Sequence, residues 1–346
     1  MRVYADNAAT TRVSKTALDA MMPYFTEVYG NPSSLHTFGQ EAKEALENAR
    51  ERIAAHLGCQ PREVYFTSGG TEADNMAIRT AAALGARKGK KHIISTAFEH
   101  HAVLHTVARL EKEGFEVTYL DVSNGHTITA QQVKDAIRPD TCLVTTMYAN
   151  NEIGSVLPIP EIGAICKEAG VPFHTDAVQA VGHIKINVKE QNIDMLSLSG
   201  HKFHGPKGVG ALYIRKDLSL PPFIHGGGQE RNFRSGTEGL PAIVGFGAAC
   251  AAMDVKQEIA HLTALRDRCR EALAEVPGLV FLGSGQAPHI VSISVPGLRS
   301  QGLINGLQDR EIYVSAGSAC SKGHRSHVLT AMNVAPEVID STFRVS

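Results

Sequence analysis

Apolar and polar residues alternate along the chain in the pattern of an α/β protein. Between about residues 60 and 215, short apolar runs separate longer stretches with helical periodicity. The pattern predicts strands at 63–67, 92–95, 116–120, 142–147 and 209–214, further strand-like runs at 170–173 and 193–198, and helices at 73–84, 102–113 and 159–169. Such alternation predicts a mostly parallel sheet covered by helices on both faces.

The last third of the chain has a different pattern. A polar, glycine-rich stretch at 231–239 precedes one or two long predicted helices within 243–275. From Gly278 onwards the predicted elements are strands at 289–295 and 312–315 and a helix at 300–310. We therefore expect a large domain of residues 14–257 and a smaller α+β domain formed by residues 1–13 and 258–346.

Composition narrows the possible functions. The chain has 346 residues, is 43% hydrophobic and has a formal net charge of −1, as expected of an ordinary soluble globular protein. This charge gives no electrostatic case for binding nucleic acid or an anionic membrane. Neither a signal peptide nor a bilayer-spanning apolar run is predicted. The six cysteines have no C-x-x-C spacing, so we expect reduced thiols and a cytoplasmic protein.

A lysine and an aspartate each follow a predicted strand. Lys202 comes after the run 193–198, and Asp176 comes after 170–173. Ligands of parallel sheets bind beyond the carboxyl ends of the strands. An aldehyde cofactor held as a Schiff base needs one lysine, and its pyridine nitrogen needs one acid that keeps it protonated. Lys202 alone is also typical of a surface loop, but the pair with Asp176 favours the cofactor interpretation.

The segment 66–73 predicts a strand, a glycine turn and a helix start. Free N–H groups at a helix start, the close approach that Gly70 permits and the Thr71 hydroxyl suit a phosphate. By itself the segment is equally typical of a plain helix N-terminus, and neither a Walker sequence nor a dinucleotide fingerprint is present. Combined with Lys202 and Asp176, it predicts pyridoxal 5′-phosphate, an aromatic aldehyde that carries one phosphate.

Histidines follow the predicted strand 92–95. An imidazole at His100 can lie flat over a cofactor ring and exchange protons with a substrate. His101 and His105 have the i, i+4 spacing of a metal-binding pair, but no acidic third ligand accompanies them. We favour a solvated histidine pair and expect no stable metal site.

Short motifs in a fixed order extend over essentially the whole chain: Tyr4–Thr11, Gly30–Ser34, Thr67–Asp74, Glu99–His100, Asn150–Gly154, Asp176–Gln179, Ser199–Lys202, His225–Glu230, Arg234–Thr237 and Phe343–Ser346. In this order and spacing the chain resembles the cysteine desulfurases of iron–sulfur cluster assembly. These are fold-type I PLP-dependent transferases of the class V aminotransferase-like group. The resemblance implies desulfuration of L-cysteine, a homodimer, and an iron–sulfur scaffold or another sulfur-acceptor protein as partner.

The resemblance also implies a role for each site residue. Lys202 should carry the Schiff base, Asp176 should pair with the ring nitrogen, and His100 should stack on the ring. Gln179 should bond the ring hydroxyl. The expected phosphate ligands are Gly70, Thr71, Ser199, His201 and, from the other subunit, Thr237. Asn151 should contact the cofactor and, together with Arg344, bind the substrate carboxylate.

Cys320 lies in the small, polar stretch 315–324. An exposed cysteine in such a loop can be incidental, although Lys322 and His324 would favour the nucleophilic thiolate. In the desulfurases that this chain resembles, the corresponding cysteine attacks the substrate sulfur and carries it as a persulfide. The spacing of Cys320, His324 and His327 also fits a metal site, for which we expect only transient use with a scaffold partner.

Other functions remain open at this stage. The same scaffold supports aminotransferases, selenocysteine lyases and cystine lyases, none of which needs Cys320. A non-catalytic assembly partner would be expected to lack Lys202 or Asp176, and both are present. The chain stops in a predicted strand, two residues after Arg344, where similar proteins continue. We therefore expect a smaller domain that lacks part of its core and an Arg344 that is weakly anchored.

Overall fold

The computed structural model describes residues 1–122, 127–316 and 325–346. The strands are β1 (Val3–Tyr4), β2 (Val64–Thr67), β3 (His92–Thr96), β4 (Glu116–Leu120), β5 (Thr141–Met147), β6 (Phe173–Asp176), β7 (Met195–Ser199), β8 (Gly210–Ile214), β9 (Val280–Leu282), β10 (Val291–Ser294), β11 (Ile312–Tyr313) and β12 (Thr342–Val345). All the strands predicted from the sequence are present, with ends that differ by a few residues.

The helices are α1 (Lys15–Met21), α2 (Pro23–Thr26), α3 (Thr37–Leu57), α4 (Gly70–Ala86), α5 (His101–Lys112), α6 (Ala130–Ala136), α7 (Ile159–Ala169), α8 (Leu240–Ala252), α9 (Val255–Leu273), α10 (Ser300–Gln308), α11 (His327–Ala331) and α12 (Pro336–Ile339). A 3₁₀ turn, Gly200–Lys202, directly follows β7. The region 243–275 forms two helices, α8 and α9, because Met253 and Asp254 are not helical and Asp254 caps α9.

Within the described residues, seven strands form the central sheet in the order β2-β8-β7-β6-β5-β3-β4. All neighbouring pairs from β7 through β4 are parallel, whereas β8 is antiparallel to both β7 and β2. The fold is therefore α/β with a mostly parallel sheet, as the sequence pattern predicts.

Adjacent residues of the central strands face opposite helical layers. Ile93 packs in the cluster with helices α4 and α5, while Ile94 packs in the cluster with α3, α7 and α8. Strands covered on both faces are apolar at consecutive positions, which explains their near-continuous hydrophobic runs.

In the described part of the chain, two small sheets lie outside the central one: β12-β10-β9, which is antiparallel, and the parallel pair β1-β11. These sheets combine N-terminal residues with the C-terminal segment, as the predicted smaller domain requires. The division into a domain of residues 14–257 and one of residues 1–13 and 258–346 remains a prediction. Its boundary at 257 falls inside α9, so the break at Met253 and Asp254 is the better place for it.

The end of the chain is well packed. β12 pairs with β10 over Thr342–Val345, and Phe343 belongs to an apolar cluster with Val291 and Ile293. The expectation of a weakly anchored Arg344 is wrong, because Arg344 lies within this strand and is 1% exposed.

Candidate active site

A cavity of about 300 Å³ lies at the carboxyl ends of the parallel strands. Its lining includes ten residues that the sequence predicts for the site: Gly70, Thr71, His100, Asn151, Asp176, Gln179, Ser199, His201, Lys202 and Arg344. Cavities of about 610 and 450 Å³ elsewhere in the described chain contain none of these ten. Chemistry, rather than size, therefore identifies the site.

Lys202 is held at the N-terminal segment. Its Nζ donates hydrogen bonds to the carbonyl oxygens of Ala8 at 2.6 Å and Ala9 at 3.0 Å. The strand β7 ends at Ser199, and the 3₁₀ turn that follows brings the lysine back over the sheet edge. The sequence predicts no role for Ala8 or Ala9, because any residue type can supply a backbone carbonyl acceptor.

Asp176 is the last residue of β6 and is 6% exposed. Its Oδ1 accepts a hydrogen bond from the Val178 N–H at 2.9 Å, and it forms no ion pair within residues 1–122, 127–316 and 325–346. Burial raises the pKa of this carboxyl, while His100 and Lys202 act in the opposite direction. A buried carboxyl in this position can stabilise a protonated ring nitrogen.

Asp74 of α4 lies beside Asp176, and sequence reasoning gave it no role. One ligand atom each of Asp74, His100 and Asp176 lie within 4.8 Å of one another. Burial, reinforced by Asp176, raises the pKa of Asp74 well above its ordinary value. Three such groups can hold either a metal ion or a cationic ring. Lys202 lines the same cavity and could bind the aldehyde of a pyridoxal ring as a Schiff base, a role that a metal ion would leave unused.

His100 caps helix α5. Its Nδ1 accepts a hydrogen bond from the Ala102 N–H at 3.1 Å, so in the neutral imidazole the proton lies on Nε2. Burial lowers the pKa of His100, which favours this neutral form. His100 therefore presents an N–H donor and a flat ring at the cavity wall.

The start of helix α4 forms another wall. Gly69 has a φ of 152°, and a Cβ on Gly70 would lie 2.6 Å from Cγ2 of Val178. Only glycine allows this approach of the helix to the segment that carries Asp176. The first turn of the helix leaves N–H groups without intrahelical partners, and its positive end suits a phosphate.

Ser199 and His201 also line the cavity. Ser199 is buried, and its Cβ would lie 3.8 Å from a Cβ on Gly70. The His201 ring places Nδ1 3.1 Å from Oγ1 of Thr10. Burial lowers the pKa of His201 to about 4, so the ring is a neutral hydrogen-bonding group at pH 7.

Arg344 connects three distant parts of the chain at the cavity. Its Nη1 donates to the carbonyl oxygen of Asn151 at 2.6 Å, and its Nη2 donates to Oδ1 of Asp6 at 2.8 Å. Nε of this buried guanidinium has no partner in the described part of the chain. The arrangement places a fixed positive charge where the resemblance implies a carboxylate ligand.

One predicted residue of the described chain is not brought to this cavity. Thr237 is exposed and does not line the cavity, which is expected of a residue that serves another subunit. Cys320 lies outside the described residues, as does His324. His327 is described: its ring centroid lies 4.5 Å from that of His101, and its Nε2 lies 2.9 Å from the Glu99 carbonyl oxygen.

The predicted histidine pair is present on α5. The centroids of His101 and His105 lie 5.0 Å apart. In the described residues, a group of three possible metal ligands with converging atoms occurs at Asp74, His100 and Asp176 and does not include His101 or His105.

Comparison with known proteins gives the family. The model of the aminotransferase class-V family matches residues 3–346. The chain belongs to this family. Among curated relatives it is 49% identical to the cysteine desulfurase IscS of Methanosarcina thermophila, over 99% of this chain and 86% of that protein. It is 45% identical to a cysteine desulfurase of a Nostoc species, over 99% of this chain and 87% of that protein.

Solved structures agree with this assignment. A NifS-like protein superimposes with a TM-score of 0.92 at 38% identity, covering 100% of this chain and 93% of that one. A structure described as SspA in complex with cysteine gives a TM-score of 0.88, also at 38% identity, covering 100% of this chain and 98% of that one. The fold is thus that of NifS-type enzymes.

Proposed function

We propose that this protein is a cysteine desulfurase that uses pyridoxal 5′-phosphate. In the reaction, L-cysteine and the Cys320 thiol give L-alanine and a Cys320 persulfide. The bond between Cβ and sulfur breaks, a sulfur–sulfur bond forms, and Cβ gains a hydrogen in place of sulfur. The single observation that carries the proposal is the cavity in which Lys202 and Asp176 stand at two neighbouring strand ends.

The residues of the cavity fit the cofactor. Asp176 is a buried carboxyl that forms no ion pair within the described ranges, and a pyridinium nitrogen would supply the missing charge. The space that a Cβ on Gly70 would fill lies at a helix start suited to a phosphate. A cavity of about 300 Å³ is at the lower end of the range for small-molecule sites.

When bound, pyridoxal 5′-phosphate supplies an aldehyde that condenses with amines and a ring that accepts electrons from the substrate α-carbon. Lys202 Nζ would hold the aldehyde and, as a free amine, could accept the substrate α-proton. Asp176 would keep the ring nitrogen protonated, and His100 would provide a flat surface for the ring. Arg344 and Asn151 orient the substrate carboxylate.

The other cysteines of the described chain are poor nucleophiles. Burial raises the pKa of Cys59 and Cys166 to about 12 and that of Cys142 to about 11, and it also raises the pKa values of Cys250 and Cys269. Since only the thiolate attacks sulfur efficiently, these five thiols are unsuited to the reaction. This supports Cys320 as the nucleophile.

Partners and location complete the proposal. The persulfide is passed to an iron–sulfur scaffold or another acceptor protein. The five described cysteines are free thiols, which fits the reducing cytoplasm. Helices of the described residues are too short or too polar to cross a membrane.

The protein is proposed to act as a homodimer. Exposed apolar side chains are concentrated near the N-terminus, as is typical of an interface: Leu18, Met22, Phe25, Tyr29, Leu35 and Phe38. Thr237 is exposed and would complete the phosphate site of the partner subunit.

Peptide mass spectrometry tests the reaction directly. After the holoenzyme is incubated with L-cysteine, we expect the mass of one additional sulfur on the Cys320 peptide, together with one L-alanine for each persulfide. Cys320→Ala should form neither product, whereas the control Cys269→Ala should form both. An unmodified Cys320 combined with spectral changes of the cofactor would contradict desulfuration and favour a lyase or an aminotransferase.

A further inference from the structure

Two buried histidines from distant parts of the chain stack beside the cavity. The rings of His183 and His289 have centroids 4.0 Å apart and planes inclined by 25°. Each residue is 8% exposed. His183 follows β6 and His289 precedes β10, so the pair joins the central sheet to the smaller C-terminal sheet. Neither residue has a role in the reaction described above.

His183 holds the backbone of the catalytic lysine. Its Nε2 lies 3.2 Å from the carbonyl oxygen of Lys202. A carbonyl oxygen only accepts hydrogen bonds, so Nε2 must carry a proton. The other ring nitrogen, Nδ1, has no hydrogen-bond partner within the described ranges, which fits an unprotonated nitrogen.

His289 acts on the side chain of Gln179. The Gln179 Nε2 donates to the carbonyl oxygen of Ala8 at 2.8 Å, and this fixes its Oε1 on the side of His289. Nε2 of His289 lies 3.1 Å from that oxygen and must donate to it. Nδ1 of His289 also lacks a partner in the described part of the chain. Both histidines are thus in the same tautomer.

The two contacts on Gln179 permit only one orientation of its amide. A rotation by 180° would place Oε1 against the Ala8 carbonyl oxygen and the NH₂ group against the His289 N–H. The Ala8 oxygen also accepts the hydrogen bond from Lys202 Nζ at 2.6 Å. A continuous chain of hydrogen bonds therefore extends from His289 through Gln179 and Ala8 to the lysine amine.

We propose that His183 and His289 are positioning residues, a stacked pair of neutral Nε2–H imidazoles that fixes the surroundings of Lys202. His183 fixes the lysine main chain, and His289 fixes the amide of Gln179 and with it the Ala8 carbonyl oxygen that the lysine amine contacts. The inference rests on the proposed role of Lys202. It adds a function for two residues that contact the lysine main chain or Gln179 rather than the substrate.

Burial, reinforced by nearby charges, keeps the pair neutral. Burial and, to a smaller extent, the nearby charges of His204 and Lys202 lower the pKa of His183 to about 4. Burial lowers the pKa of His289 well below its ordinary value, with further contributions from His183, Arg344 and Lys202. A proton on either ring would create a buried cation between Arg344 and Lys202, at high cost.

Nitrogen NMR on the holoenzyme with ¹⁵N-labelled histidine tests the tautomers without measuring activity. At pH 7 we expect both rings to show a protonated Nε2 and an unprotonated Nδ1. His183→Gln and His289→Gln assign the signals by their loss. A protonated Nδ1 on either ring, or a charged ring, would overturn the inference.

Matched substitutions separate the hydrogen bond from the ring. In each case Gln keeps an N–H donor at the position of Nε2 and loses the ring, whereas Phe keeps the ring and loses the donor. We expect His289→Phe to weaken pyridoxal 5′-phosphate binding about tenfold, the effect of one lost hydrogen bond, and His289→Gln to restore most of it. The pH at which the Schiff-base absorbance changes should shift in the Phe variants only.

His92→Phe is the control for the loss of a buried histidine. His92 is 0% exposed, and its ring nitrogens lie 2.8 Å from the hydroxyls of Thr141 and Thr118, at the opposite end of the strands. We expect its cofactor affinity and absorbance titration to match those of the wild type. Equal effects of Gln and Phe at His289, or a wild-type titration in both Phe variants, would contradict the proposal.

A failure of the proposed function gives a different result. If Lys202 does not bind the cofactor, Lys202→Ala will keep the Schiff-base absorbance. If Lys202 does bind it but the histidine pair has no positioning role, Lys202→Ala will lose that absorbance while the Phe variants remain like wild type.

Discussion

Glu99, Asp74 and Asp176 are buried carboxyl groups that affect one another's ionisation. Glu99 Oε2 and Asp74 Oδ1 have no hydrogen-bond partner in the described chain. Burial raises the pKa of each of the three groups, and the charge of Asp176 raises the pKa values of Asp74 and Glu99 further. A cationic ring beside Asp176 would lower the pKa of that carboxyl. The protonated neighbours keep the total negative charge of the site small.

Glu99 gives this arrangement a measurable pH dependence. Burial raises its pKa from 4.5 to about 8, so the folded protein retains a proton that the unfolded chain has lost. The contribution of this retained proton to the free energy of unfolding is complete below about pH 4.5 and is lost as the pH rises through about 8. We expect Glu99→Gln, which stays neutral, to gain stability relative to wild type between pH 5 and 8, by on the order of a few kcal/mol.

Urea unfolding of both proteins at several pH values measures this difference. Glu168→Gln, at an exposed position of helix α7, is the matched control and should follow the wild-type pH profile. A difference between Glu99→Gln and wild type that does not change with pH would show that the buried carboxyl is already ionised at pH 5.

Helix α4 and the segment after β6 depend on each other for their close approach. The sequence pattern predicts a helix from 73, whereas the structure begins it at Gly70. The first turn contains glycine and polar residues and therefore has no apolar periodicity to detect. By contrast, helix α7 occupies Ile159–Ala169 as predicted, because Pro160 marks its start and Gly170, with a φ of 63°, marks its end.

Gly70→Ala tests whether the close approach is needed for the cofactor. The new Cβ would lie 2.6 Å from Cγ2 of Val178, so the helix start must move away from Asp176. We expect a loss of pyridoxal 5′-phosphate affinity of about tenfold or more, since overpacking typically costs 1–3 kcal/mol. Val178→Ala removes Cγ2, so the double variant should regain most of the affinity.

Gly302→Ala provides the control within a helix. A Cβ at this position of α10 would meet no atom within 4 Å. Because alanine favours helix over glycine, its affinity for the cofactor should be unchanged and its stability equal or higher. If the double variant binds as weakly as Gly70→Ala alone, the clash with Val178 is not the cause.

At the scale of the whole molecule, the sequence predicts which residues form the site better than it predicts how they are held. Ten of the predicted residues line one cavity, because residues after parallel strands meet at one sheet edge. The contact of Arg344 with Asp6 and that of His289 with Gln179 join segments far apart in the chain. No local pattern encodes such contacts, since they depend on the packing of the smaller sheets against the central one.

The proposed homodimer makes the last prediction, which concerns Thr237. If this residue completes the site of the partner subunit, a protein with Lys202→Ala and a protein with Thr237→Glu should each be inactive alone. In a mixed dimer, one site would combine a native Lys202 with a native Thr237 from the partner. Mixing equal amounts under conditions that allow subunit exchange should restore about a quarter of wild-type desulfurase activity, because half the dimers are mixed and each has one intact site.

Two controls make this result specific to Thr237. Co-expression with two different affinity tags isolates the mixed dimer, in which activity should be about half that of wild type, because one of the two sites is intact. Combining Lys202→Ala with Asp176→Asn in one subunit and keeping a native partner gives the same one-site reference value. A mixed dimer of the Lys202 and Thr237 variants that stays inactive would place Thr237 in the site of its own subunit. That outcome would contradict the proposal that each site is completed by Thr237 of the other subunit. Thr237 is exposed and does not line the cavity of its own chain, so it would then have to reach that cavity by a movement within one subunit.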